Sequence, residues 1–479
     1  MTRGRSTSPL ILGQKAMDLD ICSGSYNVKA PISVQECINL YPEVERQGSQ
    51  SRRVLRRFPG LKSFVDIGNG AIRGMRRVDG VLYVVAGTGL FSVTIAGVAS
   101  SSLGAIPGTA IVSMAHDGTN LVIVVGTTSQ YSYNGSTFTT TTLPFISNRV
   151  LYLDTYMIHQ RANTGQFFIS ASNSVTSYSA LDFATKEGQP GDIVTIISSN
   201  RDLILFGEET TETWRNVGNT DFAFRRQEGT FQERGALALN SPIEMDNDVY
   251  YIGDDRSVYR LQGYTPIRIS HHGIEKWLGE QSKSDIDLAF GMTITHEGHY
   301  WYILTLDKRT WVYDATVSAE TGQPEWFQLL SLGETNWRVD VSERAYGKTY
   351  CGGGDGVIYE LSTTTMNENG ERQLKRRTTP YYHNERHRLS FNRLELGFEA
   401  AVATSSVADP QVSLEISRDW GNTWGNRRYR SLGQLGQYRK AAVWRRNGAP
   451  RTSVFKIEVT DDVEVTFTGQ WAEAASGAG

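Results

Sequence analysis

The sequence predicts an all-β protein: a β-propeller of seven blades, preceded by an extended N-terminal arm and followed by a C-terminal β-sandwich. Three observations carry the prediction. A strand–turn–strand–turn–strand unit over residues 72–93 recurs along the chain. Its copies are centred 36 to 51 residues apart, the spacing of propeller blades. The last hundred residues alternate apolar and polar side chains outside that repeat. The third copy is the weakest, so six blades is the second count, and a pair of sandwiches is the alternative architecture.

The founding unit shows why. Asp79-Gly80 is a tight hairpin turn, since glycine accepts positive φ and aspartate hydrogen-bonds its own backbone. Residues 81–86 are apolar and β-branched with one tyrosine, which suits a strand buried on both faces. Gly87-Thr88-Gly89 then turns the chain into Leu90, Phe91 and Val93. Three such strands cannot bury their own faces, so the unit must stack on copies of itself. The copies follow at His116-Asp117-Gly118, Asp154-Thr155-Tyr156, Asn200-Arg201-Asp202, Asp246-Asn247-Asp248, His296-Glu297-Gly298 and Tyr346-Gly347-Lys348. They place the propeller at 71–361. One helical pattern interrupts them: Ile274, Trp277 and Leu278 stand at i, i+3 and i+4. It reads as a short helix on the propeller side or at a subunit contact.

Residues 1–70 read as an extended arm and docking segment, because Gly, Ser and Pro break any period. Within it Arg52, Arg53, Arg56 and Arg57 surround Val54-Leu55, and Pro59-Gly60 ends the stretch with a turn. Four guanidinium groups suit phosphates or an acidic partner surface. The alternative is an edge strand with its arginines in water. Arg52, Arg53, Arg56, Arg57 and Trp277 are assigned to protein interfaces. Residues 362–388 are polar and basic and read as a linker or crossover. Four alternating runs place the sandwich at 389–473, and 474–479 reads as a disordered tail.

At 479 residues the chain exceeds one ordinary core, and 21% charged residues fit a globular protein. A net charge of −3 excludes a generally basic nucleic-acid coat. The charge is uneven: residues 371–470 carry 17 Lys+Arg against 11 Asp+Glu, while residues 1–370 carry 31 against 39. Three scattered cysteines make no disulfide framework or zinc motif and fit intracellular assembly. No apolar run approaches the ~18 residues of a membrane span.

The motifs point to turns rather than chemistry. Ser417-Arg418-Asp419-Trp420-Gly421-Asn422-Thr423-Trp424 fits S-x-D-x-G-x-T-W and resembles the Asp-box of sialidases, a hairpin device that is silent on catalysis. His296-Glu297-Gly298-His299 lacks the i, i+4 spacing of a helical metal motif and reads as a hairpin turn. Glu208, Glu209 and Glu212 alternate across a strand instead of facing one another as a glycosidase pair. No nucleophile elbow or nucleotide-binding loop is present. No catalytic residue, metal ligand or cofactor is predicted, and the chain is not read as an enzyme.

Taken in order, several short stretches resemble one family. They are Asn39-Leu40-Tyr41, Leu55-Arg56-Arg57-Phe58-Pro59-Gly60-Leu61, Arg73-Gly74, Val112-Ser113-Met114-Ala115-His116, Ile274-Glu275-Lys276, Val312-Tyr313-Asp314-Ala315 with Pro324-Glu325-Trp326, and Val443-Trp444-Arg445-Arg446. The family is the packaged-DNA stabilisation, or tail nozzle, proteins of short-tailed bacteriophages (podoviruses). The resemblance spans 36–470 and leaves 171–229 and 362–384 unplaced. It implies a structural virion protein of the tail, assembled in the host cytoplasm. It implies a homo-hexamer below the portal–adaptor ring that extends the DNA channel, retains the packaged genome and conducts it at ejection. A tail needle or plug would close the far end, with tailspikes or fibres nearby. Genomic DNA would pass without sequence-specific binding, and nothing would insert into a membrane. The alternative function is a tail-associated carbohydrate-binding or glycan-hydrolysing propeller.

Overall fold

Seven four-stranded antiparallel blades follow one another in the computed structural model, which describes residues 14–19, 21–29, 32–47, 50–383, 387–399 and 402–476. Blade 1 runs Ile72–Val78, Val81–Ala86, Gly89–Val93 and Gly104–Ala105. Blades 2 and 3 share a sheet, because the 16-residue strand Phe138–Leu153 ends one and begins the other. No turn marks that boundary, which is why the third repeat is faint in the sequence. Blades 4, 5 and 6 open with Ile193–Ser199, Ile243–Met245 and Phe290–His296. Blade 7 has Val339–Ala345, Lys348–Gly353 and Val357–Ser362 and takes its fourth strand, Gly60–Asp66, from before blade 1. The innermost strands touch in an unbroken circle from blade 1 to blade 7 and back. That closure gives seven blades and rules out a pair of sandwiches in this region.

In six blades the first two strands are joined by a two-residue turn with both residues at positive φ. The pairs are Asp79-Gly80, Asp154-Thr155, Asn200-Arg201, Asp246-Asn247, Glu297-Gly298 and Tyr346-Gly347. This geometry twists with the strands it joins. Blade 2 uses a wider turn in which Asp117 Oδ1 accepts from the Thr119 and Asn120 N–H groups. Each seam between blades has its own core, as where Leu82 and Val84 of blade 1 meet Tyr350 and Ile358 of blade 7. Both faces of a blade are thus covered, and second strands such as Val81–Ala86 and Leu121–Val124 are continuously apolar for that reason.

The N-terminal stretch is extended but is not a free arm. Leu40–Gln47 and Gln50–Arg57 form a hairpin that pairs with Thr466–Ser476, beside Leu389–Phe398 and Ala442–Arg445, in one sheet of the sandwich. Gln14–Leu19 pairs with the same C-terminal strand. The second sheet orders Ser33–Ile38, Lys375–Thr378, Thr452–Val459, Gln411–Ser417 and Arg428–Ser431. The sandwich is therefore built from both ends of the chain. The stretch expected as a linker supplies a central strand, Lys375–Thr378, and the last strand runs past 473 to Ser476. The tail expected to be disordered at 474–479 is thus strand as far as Ser476; its last three residues, 477–479, and residues 1–13 lie outside the described residues.

A single core joins sandwich to propeller. Leu40, Leu55, Phe58, Leu414, Trp444, Phe455 and Phe467 belong to one buried cluster with Trp301 and Phe327 of blade 6 and Val339 and Tyr359 of blade 7. Phe58 lies 4.9 Å from the Trp301 ring and 5.7 Å from that of Trp337. The expected helix is α1, His272–Glu280, capped by His271 Nδ1 accepting from the Gly273 N–H. Two shorter helices follow, α2, Lys283–Asp287, and α3, Ala315–Thr321.

Candidate functional site: the inner funnel and the propeller–sandwich junction

The seven inner strands surround a cavity of about 450 Å³ lined by residues of every blade. Its ionisable lining is mixed: Arg76, His116, Arg149, Glu244, Asp340 and Glu343. Arg149 donates to the carbonyls of Leu239 (2.8 Å) and Pro242 (3.2 Å), and burial lowers its pKa to about 10. Burial, with the Asp355 charge behind it, raises Asp340 to about 6. Burial also raises Glu343, against the pull of Arg76 and the Arg77 N–H. Burial and Arg76 lower His116. Asp340 and Glu343 share the first strand of blade 7, the other groups come from other blades, and Arg149 is held by backbone. Among the described residues no three or more His, Cys, Asp or Glu side chains are arranged to hold a metal ion.

Three of the arginines singled out in the N-terminal stretch, Arg53, Arg56 and Arg57, make bonds within the chain. Arg57 is 5% exposed and bonded throughout. Its Nε (3.2 Å) and Nη2 (2.7 Å) donate to Glu464 Oε2, Nη1 to the Phe58 and Thr365 carbonyls, and Nη2 to the Thr363 carbonyl. One guanidinium thus ties the N-terminal hairpin, the exit from blade 7 and the C-terminal strands. Arg53 Nη1 donates to Glu325 Oε1 at 2.7 Å. Arg56 Nη1 donates to Glu297 Oε2 at 2.9 Å and lies over the Tyr41 ring. Arg52 pairs in register with Glu45. Trp277 packs edge-to-face against Trp311, with Arg309 over both rings. Arg53, Arg56, Arg57 and Trp277 therefore have partners within the chain.

Two features of this junction escape sequence reasoning. Arg377 is fully buried; it donates to the carbonyls of Ile21, Gly24 and Glu36, to Ser23 Oγ and to Gln35 Oε1. No apolar alternation marks its strand, because the buried positions are cationic. The second is His299, which sits between Asp314 Oδ2 (2.7 Å) and Glu43 Oε2 (3.2 Å). Burial works against its charge, but the two carboxylates prevail and its pKa is raised. A hairpin turn does place His296 opposite His299, as the sequence implies.

The Asp-box is a closed turn between Gln411–Ser417 and Arg428–Ser431. Asp419 Oδ1 accepts from Thr423 N–H (2.8 Å) and Oδ2 from Thr423 Oγ1 (2.5 Å). These bonds, with that from Ser417, hold Asp419 down to about 2. Gly421 stands at φ +90°, where a side chain would be strained. The Lys456 ammonium lies 3.9 Å from the Trp424 ring centre.

No curated protein matches the chain by sequence. Among solved structures it is similar to the computationally designed protein Ika8, with 12% identity, 63% of this chain and 99% of that one covered, and a TM-score of 0.37. It is similar to YCF48 bound to D1 peptide, with 10% identity, 71% and 98% covered, and a TM-score of 0.37. The N-terminal domain of Nup159 gives 13% identity, 67% and 98% covered, and 0.35. These likenesses are loose, and the assignment does not rest on them. Residues 17–366 match the family profile described as Bacteriophage P22 Gp10, beta-propeller, and residues 375–475 match the one described as Bacteriophage P22 Gp10, beta-sandwich. With both profiles in order over nearly its whole length, the chain belongs to the bacteriophage P22 Gp10 family, the structural tail-stabilisation proteins of short-tailed phages, and is a component of the virion tail.

Proposed function

We propose that six copies of this chain form a nozzle ring below the portal–adaptor ring. The ring extends the DNA channel, holds the packaged genome and conducts it at ejection, with a plug protein closing its far end and tailspikes or fibres alongside. The observation that carries the reading is the single core shared by sandwich and blades 6 and 7. A body whose two ends of chain are woven into one sandwich transmits load as a unit, which a pressurised conduit requires.

The DNA path in this reading runs between copies, not through the blades. A cavity of about 450 Å³ does not admit a duplex whose major groove alone is ~12 Å wide. The lumen wall is mixed or acidic, because every phosphate neutralised by a bound cation would add affinity and slow passage. The junction arginines serve the reading from within, by fixing the angle between sandwich and propeller. The test is to mix the purified chain with portal–adaptor complexes and view them by electron microscopy. A six-fold ring that slows DNA release supports the proposal; a bound monomer, or no binding, removes it.

A further inference from the structure

Two surfaces at opposite ends of the molecule are complementary. The first is the free edge of the sandwich. Residues 418–451 carry nine Lys+Arg against one carboxylate, Asp419. Arg428 donates to the Arg445 carbonyl and to Asn447 Oδ1, and Arg430 to the Val443 carbonyl. These bonds stitch together the edge strands of the two sheets. Arg427 is paired with Glu415 and Glu458. Among the described residues no ion pair reaches Arg430, Arg439, Lys440, Arg445 or Arg446. The loop between the stitched strands projects Leu435 (77% exposed) and Tyr438 (75%) beside Arg439 and Lys440.

The second surface is the rim of blades 3 and 4. Leu181, 84% exposed, stands on the outer strand of blade 3 with Phe183. A cavity of about 410 Å³ opens beside them, lined by Phe183, Trp214, Phe222 and Phe224, with Glu187, Glu228, Arg225 and Arg226 also on its wall. Residues 182–233 carry ten Asp+Glu against five Lys+Arg. Glu208, Glu209 and Glu233 are exposed and make no ion pair among the described residues. The sandwich grows from blades 6 and 7, and in a circle of seven, blade 3 stands three places from each.

We propose that the Leu435–Tyr438 loop and basic edge of one copy seat on the blade 3–4 rim of the next copy. This rests on the ring reading above and names its contact. A contact between two different patches repeats from copy to copy and forms a ring when its rotation closes, whereas a self-complementary patch would stop at a dimer. The apolar tip meets the aromatic cavity, and the unpaired cations meet the unpaired carboxylates, which also selects the register of approach.

The test uses the full chain on portal–adaptor complexes. The three native cysteines are buried, so introduced surface thiols react alone. With Leu181→Cys and Leu435→Cys in one chain, a short bis-maleimide is expected to give a covalent ladder up to the closed ring, and either single variant to give none. Arg439→Glu with Lys440→Glu is expected to cut ring yield at least tenfold, as is Glu208→Lys with Glu209→Lys, and all four together to restore it. Wild-type rings with no ladder, or with charge variants assembling normally, overturn this contact and leave the ring reading standing. Absence of rings from the wild-type chain overturns both. Loss of duplex-DNA binding by Arg439→Glu with Lys440→Glu, with rings unchanged, makes the edge a DNA surface and overturns the contact.

Discussion

Two groups of arginines in this chain look alike in sequence and differ in every physical respect. Arg57 and Arg377 lie at the junction of sandwich and propeller, buried and with hydrogen-bond acceptors on all sides. Arg439, Arg445 and Arg446 lie on the free edge of the same sandwich, exposed and without a carboxylate. The difference teaches that a basic run says nothing of its use until its acceptors are known. Carbonyls arriving from residues 21–36 turn one run into an internal strut, and their absence leaves the other for a neighbour.

The comparison breaks most visibly at Arg377. Arg377→Met removes the guanidinium donor from the buried Ile21 and Gly24 carbonyls and from three part-buried acceptors and is expected to lower stability by about 3 kcal/mol, read as a fall in the urea midpoint. Next is Arg53→Ala with Arg56→Ala. These half-exposed pairs to Glu325 and Glu297 are expected to contribute about 1 kcal/mol together, less at high salt. Unfolding measured at two ionic strengths checks this.

Asp340 sharpens the contrast between junction and funnel, since its burial is not compensated. Its folded pKa of about 6 lies above the ~3.9 of an unfolded aspartate. The folded state therefore holds the extra proton between those values, and stability falls as pH rises through that window. Asp340→Asn is expected to raise stability at pH 7 by about 1 kcal/mol, after discounting for partial solvent screening, and to leave it unchanged near pH 3.5. Thermal unfolding at the two pH values is the check. The smallest effect belongs to the free edge: Arg439→Ala with Lys440→Ala is expected to change folding stability by less than about 0.5 kcal/mol, in a urea titration of the isolated chain.

Legibility followed the range of the interactions. The propeller is written in local chemistry, in turns such as Asp79-Gly80 and apolar strands such as 81–86, so its blades could be read directly, with seven preferred to six. The Asp-box hairpin was legible for the same reason. The blade 2–3 boundary was faint because Phe138–Leu153 passes through it unbroken. The sandwich was half legible: its alternating C-terminal strands showed, but their N-terminal partners did not. The pairing of Leu55 with Phe467 joins residues more than four hundred apart, which no local pattern records. Lys375–Thr378 was hidden because its buried side chains are charged. The role of Arg57 within the chain was hidden for a related reason, since its acceptors at Thr363, Thr365 and Glu464 come from the far end of the chain.

The most direct measurement is a side-chain-resolution electron-microscopy reconstruction of the chain bound to the portal–adaptor complex. The account predicts six copies around the axis, each sandwich edge seated on blades 3 and 4 of the next, with DNA between the copies and the propeller cavities off the path. Density for DNA within a propeller, or copies bound singly without touching one another, would contradict it.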